Sequence, residues 1–211
     1  QATGIPELKR TLSDWYQDRY GLSIAPERIL ITPGASGALL LIASLLIDPG
    51  EGLLMADPGY PCNRNFLRLV EGEGQLVPCD ASTRYQLTAE IAAQAWRENT
   101  RGVMVASPAN PTGEILSREQ LSSLADLCRQ RDGVLIVDEI YHGLDYDSQA
   151  CSVLEIEPEA FVLNSFSKFF GMTGWRLGWA VVPESLVPVL DTLAQNLFLA
   201  PPTPAQYAAL A

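Results

Sequence analysis

Between Ile29 and Val182 the chain repeats one pattern: a short apolar run, a polar or glycine-containing turn, then a longer stretch with helical spacing. That rhythm is what βα units look like in sequence, because parallel strands need a crossover and a helix usually supplies it. Seven runs read as strands: Ile29–Thr32, Gly52–Asp57, Gln75–Cys79, Gly102–Ser107, Val134–Glu139, Phe161–Ser165 and Gly178–Val182. Several are continuously apolar instead of alternating, as expected when helices cover both faces of a sheet. The predicted fold is therefore α/β, a three-layer α-β-α sandwich around a mainly parallel seven-stranded sheet.

Helical periodicity appears in Ile5–Tyr20, where Leu8, Leu12, Trp15 and Tyr16 form one stripe behind a proline suited to a first turn. It recurs in Gly37–Ile47, Thr88–Glu98, Ser117–Arg131 and Pro183–Leu199. Gln120 lies three residues after Ser117, the spacing of a capping box. The first 24 residues read as a helix and linker leading into one domain over 25–211, and the final AQYAALA reads as the middle of a helix, so a piece of a longer protein is expected.

Composition narrows the function classes. With 47% hydrophobic and 18% charged residues the chain is globular, not disordered. A net charge of −11, dispersed along the chain, argues against nucleic acid as a partner, since a phosphate backbone calls for clustered basic residues. The longest apolar run, Gly37–Ile47, falls short of the roughly 20 residues that span a bilayer, so no membrane is expected. Cys62, Cys79, Cys128 and Cys151 lack metal-ligand spacing and read as reduced, mostly buried thiols of a cytoplasmic protein.

In open parallel sheets ligands bind beyond the carboxyl ends of the strands, so the residues after each run carry the functional signal. After the first strand, TPGASGALL takes the backbone straight into an apolar helix whose early N–H groups, near Ala35 and Ser36, suit a phosphate; a plain turn is the competing reading. After the second, DPGYP sets Tyr60 in a tight turn, as packing or as a flat face for a ring. SPANPTG holds Asn110 between two prolines, either an ordinary turn or a rigidly placed amide donor. VDEIYHG ends the fifth strand with Asp138, a buried carboxylate that needs a partner; nearby His142, the one histidine, reads as structural.

The sixth strand runs into NSFSKFFGMTGWRLGW, which contains one of only two lysines in a chain with twelve arginines. Lys168 follows Ser165 and Ser167 and precedes Arg176 by eight residues, among Phe166, Phe169, Phe170, Met172 and Trp175. An amine enclosed by such neighbours loses solvation, which lowers its pKa and makes it a better nucleophile; a snorkelling surface lysine is the alternative. Together these pieces ask for one ligand. It has an anion for Ser165, Arg176 and the helix start at Ala35 and Ser36, a basic aromatic nitrogen for Asp138, and an electrophilic carbon for Lys168. Pyridoxal phosphate has all three.

With SFSKFFGMTGWRLGW, TPGASGAL, DPGYP, SPANPTG and VDEIYHG in this order, the chain resembles the class I/II aminotransferases, the fold-type I pyridoxal-phosphate enzymes, nearly end to end. The resemblance implies that Lys168 forms the aldimine with the cofactor and later shuttles the substrate's α-proton. It implies that Asp138 pairs with the pyridinium nitrogen and that Asn110 and Tyr141 hydrogen-bond the ring's phenolic oxygen. Tyr60 would stack on the ring, with the phosphate held by Ala35, Ser36, Ser165 and Arg176, and Asn110–Pro111 would be a cis peptide.

The resemblance also implies an amino acid and a 2-oxo acid as substrates, and a homodimer with active sites at its interface. The family's small domain, with the arginine that clamps the substrate α-carboxylate, has no counterpart in the chain. Neither has the partner subunit's phosphate-binding tyrosine. No arginine follows Arg176, which leans away from one kind of dicarboxylate specificity. A β-carbon–sulfur lyase of the same fold and the ligand-sensing domain of a transcription regulator are the alternatives to a transaminase.

Overall fold

The computed structural model describes residues 1–146 and 149–211. Seven strands form one sheet in the order β1-β7-β6-β5-β4-β2-β3: β1 Ile29–Thr32, β2 Gly52–Asp57, β3 Glu73–Pro78, β4 Thr100–Ala106, β5 Val134–Asp138, β6 Phe161–Ser165 and β7 Gly178–Val181. β2 to β6 pair in parallel, whereas β7 runs antiparallel to both its neighbours, β1 and β6. The predicted strands are all present, with shifts of no more than two residues at their ends.

Successive residues of a strand face opposite sides of the sheet, and here both sides are apolar. Leu54, Val103, Leu135 and Val162 enter one core with Leu8, Leu12 and Tyr16 of α1 (Pro6–Tyr20) and Leu121 and Leu124 of α5 (Arg118–Gln130). Their neighbours Leu53, Met104, Ile136 and Leu163 enter the other, against Ala38, Leu41 and Ile42 of α2 (Gly34–Leu46) and Leu190 of α6 (Val187–Phe198). That double burial is the physical content of the three layers. Trp179 in β7 is fully buried and its indole N–H donates to the Tyr16 hydroxyl at 3.1 Å, which ties α1 into the same core as the sheet.

Local signals act as expected at several ends. Ser117 accepts from the Gln120 N–H while the Gln120 side chain accepts from the Ser117 N–H, the reciprocal cap that starts α5. The helix predicted over 88–98 stops earlier, as α4 (Ala89–Ala95), because Trp96 turns to pack where a Cβ on Gly133 would clash with it. The one predicted over 183–199 begins with a short 3₁₀ turn before α6. α3 (Cys62–Leu69) is additional to the sequence reading; it is only eight residues long and only Leu67 is buried in it. α7 (Thr203–Ala208) closes the described chain.

All four cysteines are free, but only Cys79 and Cys128 are buried; Cys62 and Cys151 are partly open, so the expected burial holds for half of them. Among the described residues no helix is long and apolar enough to cross a membrane.

Candidate active site

Because β1 and β6 share one direction and β7 runs against them, the start of β7 lies at the same rim as the ends of β1, β2, β4, β5 and β6. This explains how Arg176, which precedes a strand, meets residues that follow strands. A cleft of about 190 Å³ opens there, and its lining includes Ala35, Ser36, Tyr60, Asn110, Asp138, Tyr141, Ser165, Lys168 and Arg176. All nine sequence-predicted residues are thus brought together.

One end of the cleft is built for an anion. α2 begins at Gly34 with no side-chain cap, which leaves its first N–H groups, at Ala35 and Ser36, without helical partners. A Cβ at Gly34 (φ +73°) would lie 2.6 Å from Arg176 Nη2, so the guanidinium is stacked directly over the helix start. Its named contacts are weak neutralisers: Nη1 donates to the Thr173 carbonyl at 3.0 Å and to Ser167 Oγ at 3.5 Å, and among the described residues it forms no ion pair. A cation at the positive end of a 13-residue helix is electrostatically unfavourable until an anion sits between them.

Asp138 lines the same cleft. Its Oδ1 accepts from the Ile140 N–H at 3.1 Å, and among the described residues the carboxylate has no salt-bridge partner. Protein surrounds it except where it opens to the cleft. Burial therefore pushes the carboxyl up to about 6, with the Ile140 N–H and the charge of Lys168 only partly offsetting the lost hydration. This group is poised to gain from a cationic N–H. A carboxylate with no salt-bridge partner and a guanidinium with no ion pair among the described residues, lining one cleft, fit the ring nitrogen and phosphate of pyridoxal phosphate.

Lys168 departs from the enclosed amine that the aromatic segment suggests. It is exposed, with its Nζ 5.5 Å from the centroid of the Tyr141 ring. The reason is the direction of each neighbour: Phe166 turns into the core against Trp179, while Phe169 and Phe170 pack edge to face beside Trp15 and Arg19. None of them caps the amine.

Ser165 is also refined. Its hydroxyl donates to the Leu177 carbonyl at 3.1 Å and accepts from the Ser167 N–H at 3.0 Å, so its one proton is engaged within the loop. Ser167, nearer Arg176 and lining the same cleft, keeps its proton free for a ligand oxygen. Sequence reasoning noted Ser167 beside Lys168 without giving it a role, and it missed Asn63, Phe66 and Thr173, which also line the cleft. The first two come from α3, whose placement under Tyr60 no local pattern announces. Asn110 Nδ2 approaches the Tyr141 hydroxyl at 3.4 Å, and Asn110–Pro111 is cis, as the resemblance implied. Tyr60 presents a half-exposed ring at the cleft wall.

Comparison with known proteins gives the same picture. The family model for aminotransferase class I and II matches residues 1–211. The chain is 44% identical over 211 residues to the valine–pyruvate aminotransferase of Mycobacterium tuberculosis, covering 99% of this chain and 54% of that protein. It is 36% identical to the (5-formylfuran-3-yl)methyl phosphate transaminase of Methanocaldococcus jannaschii, covering 98% of this chain and 54% of the relative. A crystal structure of an aminotransferase from Mycobacterium tuberculosis superposes with a TM-score of 0.95 at 43% identity, covering 99% of this chain and 54% of that one. The aspartate aminotransferase of Thermus thermophilus with maleate superposes at 0.94 with 31% identity, over 99% of this chain and 55% of that one. The chain spans about half the length of the relatives it matches. With a fold, a cleft and a full-length match that agree, the chain belongs to the aminotransferase class I and II family.

Proposed function

We propose that residues 25–211, led in by the helix and linker of residues 1–24, form the cofactor-binding large domain of a pyridoxal-phosphate-dependent aminotransferase. Its reaction moves an amino group between an amino acid and a 2-oxo acid. The observation that carries the reading is an exposed amine, Lys168, and a partly buried carboxylate with no salt-bridge partner among the described residues, Asp138, at or just beyond the ends of adjacent strands in one cleft.

When bound, the cofactor supplies an electron sink that stabilises negative charge developing at the substrate's α-carbon. Asp138 would hold a proton on the ring nitrogen, and the cationic N–H would let the carboxylate ionise where burial resists it. Arg176, Ser167 and the Ala35 and Ser36 N–H groups would hold the phosphate, with Ser165 shaping the loop. Asn110 and Tyr141 would donate to the cofactor's phenolic oxygen, and Tyr60 would pack against its ring. Lys168, whose Nζ is exposed at the cleft, would be the residue that holds the cofactor covalently and the base that moves the substrate's α-proton. Orientation and charge are what the protein contributes.

A neutral aliphatic amino acid as donor, with pyruvate as acceptor, is supported by the relative named for valine and pyruvate at 44% identity, against 29–32% for relatives named for aspartate. The reading extends to a cytoplasmic homodimer. Its test is an absorption spectrum of the protein with pyridoxal phosphate, then borohydride reduction and peptide mapping. A pyridoxyl adduct on Lys168 is expected, and its absence from that peptide refutes the reading. With the full-length protein, a 2-oxo acid and pyridoxamine phosphate identify transamination, whereas ammonia and a thiol identify a lyase.

A further inference from the structure

The segment from Ala106 to Glu114 leaves the end of β4, carries Asn110 into the cleft wall and returns toward α5. Pro108 and Pro111 have no backbone N–H, so the loop has few donors of its own with which to fasten its two legs. Within it the Ala109 N–H donates to the Glu114 carbonyl at 2.9 Å and the Gly113 N–H to the Ala109 carbonyl at 2.7 Å. The Ser107 N–H ties the inner leg to the Asp138 carbonyl at 3.1 Å, and Ser107 Oγ accepts from the Leu116 N–H at 3.0 Å. The side-chain contact of Asn110 Nδ2 with Tyr141 Oη is 3.4 Å long, too weak to fix the amide by itself.

Gln86, between β3 and α4, is 3% exposed and reaches both legs of this loop from outside it. Its Nε2 donates to the Ala106 carbonyl at 3.2 Å and to the Glu114 carbonyl at 2.9 Å. Both partners are backbone oxygens, which only accept, so the NH2 group has to face them; the reversed amide would set three oxygens against one another. Each of the two amide protons therefore holds one leg.

The backbone is bent to deliver this side chain. Arg84 and Tyr85 lie at φ +54° and +59°, two consecutive left-handed residues that are not glycine, and such a conformation persists only where the surroundings hold it. Here the Asp80 carboxylate accepts from the Ser82 N–H at 2.8 Å, the Tyr85 N–H donates to the Asp80 carbonyl at 2.8 Å, and the Gln86 N–H donates to the Thr83 carbonyl at 3.1 Å. Arg84 also pairs with the carboxylate of Glu114, the residue whose carbonyl Gln86 grips. Arg84, Tyr85 and Gln86 do not themselves line the cleft.

We propose that Gln86 is a positioning residue: by bridging the Ala106 and Glu114 carbonyls it closes the base of the loop and fixes where Asn110 stands in the cleft, a role that rests on the cofactor reading above because that reading assigns Asn110 to the phenolic oxygen. Since Ser107 ties the inner leg to Asp138, the bridge also fixes Asn110 relative to the carboxylate assigned to the ring nitrogen.

The test uses the full-length protein with 15N-labelled asparagine, the Asn110 side-chain amide being assigned by difference from Asn110→Ala. Gln86→Met keeps the length of the side chain and removes both donors. Thr100→Val removes a buried hydroxyl that donates to Gln75 Oε1 at 2.6 Å, at the opposite end of β4, and is the control for lost stability. Gln86→Met is expected to shift the Asn110 amide signals without cofactor and to weaken pyridoxal phosphate binding about fivefold, the worth of one neutral hydrogen bond. It is also expected to raise, by about half a unit, the pH at which the bound cofactor's visible absorption changes, because a donor to the phenolic oxygen is loosened. Thr100→Val is expected to melt lower and to leave all three readings in place. Asn110 signals that stay put in folded Gln86→Met, or that move equally in Thr100→Val, overturn the proposal. Should Gln86→Met fail to fold, Gln86→Asn, which keeps the amide but is one methylene too short to reach both carbonyls, decides by the same signals. If pyridoxal phosphate does not bind the unmodified protein, the functional reading fails, and the cofactor-free amide signals still decide the positioning role.

Discussion

Asp138→Asn is expected to stabilise the cofactor-free protein while weakening its hold on the cofactor. In the empty cleft the carboxyl is pushed from 3.8 up to about 6, chiefly because burial strips its hydration. Below pH 3.8 it is protonated in both folded and unfolded chains and costs nothing. As pH rises, the unfolded chain ionises first, so stability falls until about pH 6 and stays reduced above it. A shift of about two units at 1.36 kcal/mol each gives a penalty of up to about 3 kcal/mol at pH 7.5, less whatever solvent in the cleft screens. Asparagine keeps the acceptor for the Ile140 N–H and carries no charge. For a chain of this size 1 kcal/mol moves Tm by about 2–4 °C, so Asp138→Asn should melt up to about 6–12 °C higher at pH 7.5 and level with the unmodified protein near pH 3.8. Thermal unfolding followed by circular dichroism at both pH values measures this. A variant that melts no higher at pH 7.5, or whose gain is the same at both pH values, refutes the claim that a desolvated carboxylate waits there for a cation.

Arg176→Gln should lower affinity for pyridoxal phosphate by about 100-fold, the loss of a charge-assisted contact, while leaving affinity for unphosphorylated pyridoxal within twofold; spectroscopic titration with both ligands reads the difference. Gly34→Ala places a methyl 2.6 Å from Arg176 Nη2 at a positive φ, so it should cost about 1–2 kcal/mol in denaturant unfolding and at least tenfold in phosphate affinity. Glu139, fully buried and pushed up to about 8, makes the fold lose stability progressively between pH 4.5 and 8. Glu139→Gln should flatten that slope in a pH series of melting temperatures, and an unchanged slope rejects the assignment.

Strands and most helices were legible because burial on both faces writes itself into residue order as continuous apolar runs, and caps such as Ser117 with Gln120 are local. The predicted residues that line the cleft were legible for a related reason: each ends or follows, or in one case precedes, a strand, and strand ends converge. α3 was not read, since it is only eight residues long and buries a single leucine, Leu67. The setting of Lys168 was misjudged because neighbours in sequence are not neighbours in space: around a tight turn Phe166 and Phe169 point to different sides, and the amine stays exposed.

Residue order alone carried the α/β class, the seven strands and the identity of the cleft's charged and aromatic groups, because these depend on local periodicity and on where polar residues interrupt apolar runs. Only the tertiary structure decided that β7 runs antiparallel and so delivers Arg176 to the start of α2, that the hydroxyl proton of Ser165 is engaged while among the described residues that of Ser167 has no acceptor, and that Tyr20 of α1 reaches His142. Strand direction, hydroxyl engagement and a contact across 122 positions are set by packing between segments, which no window along the chain can contain.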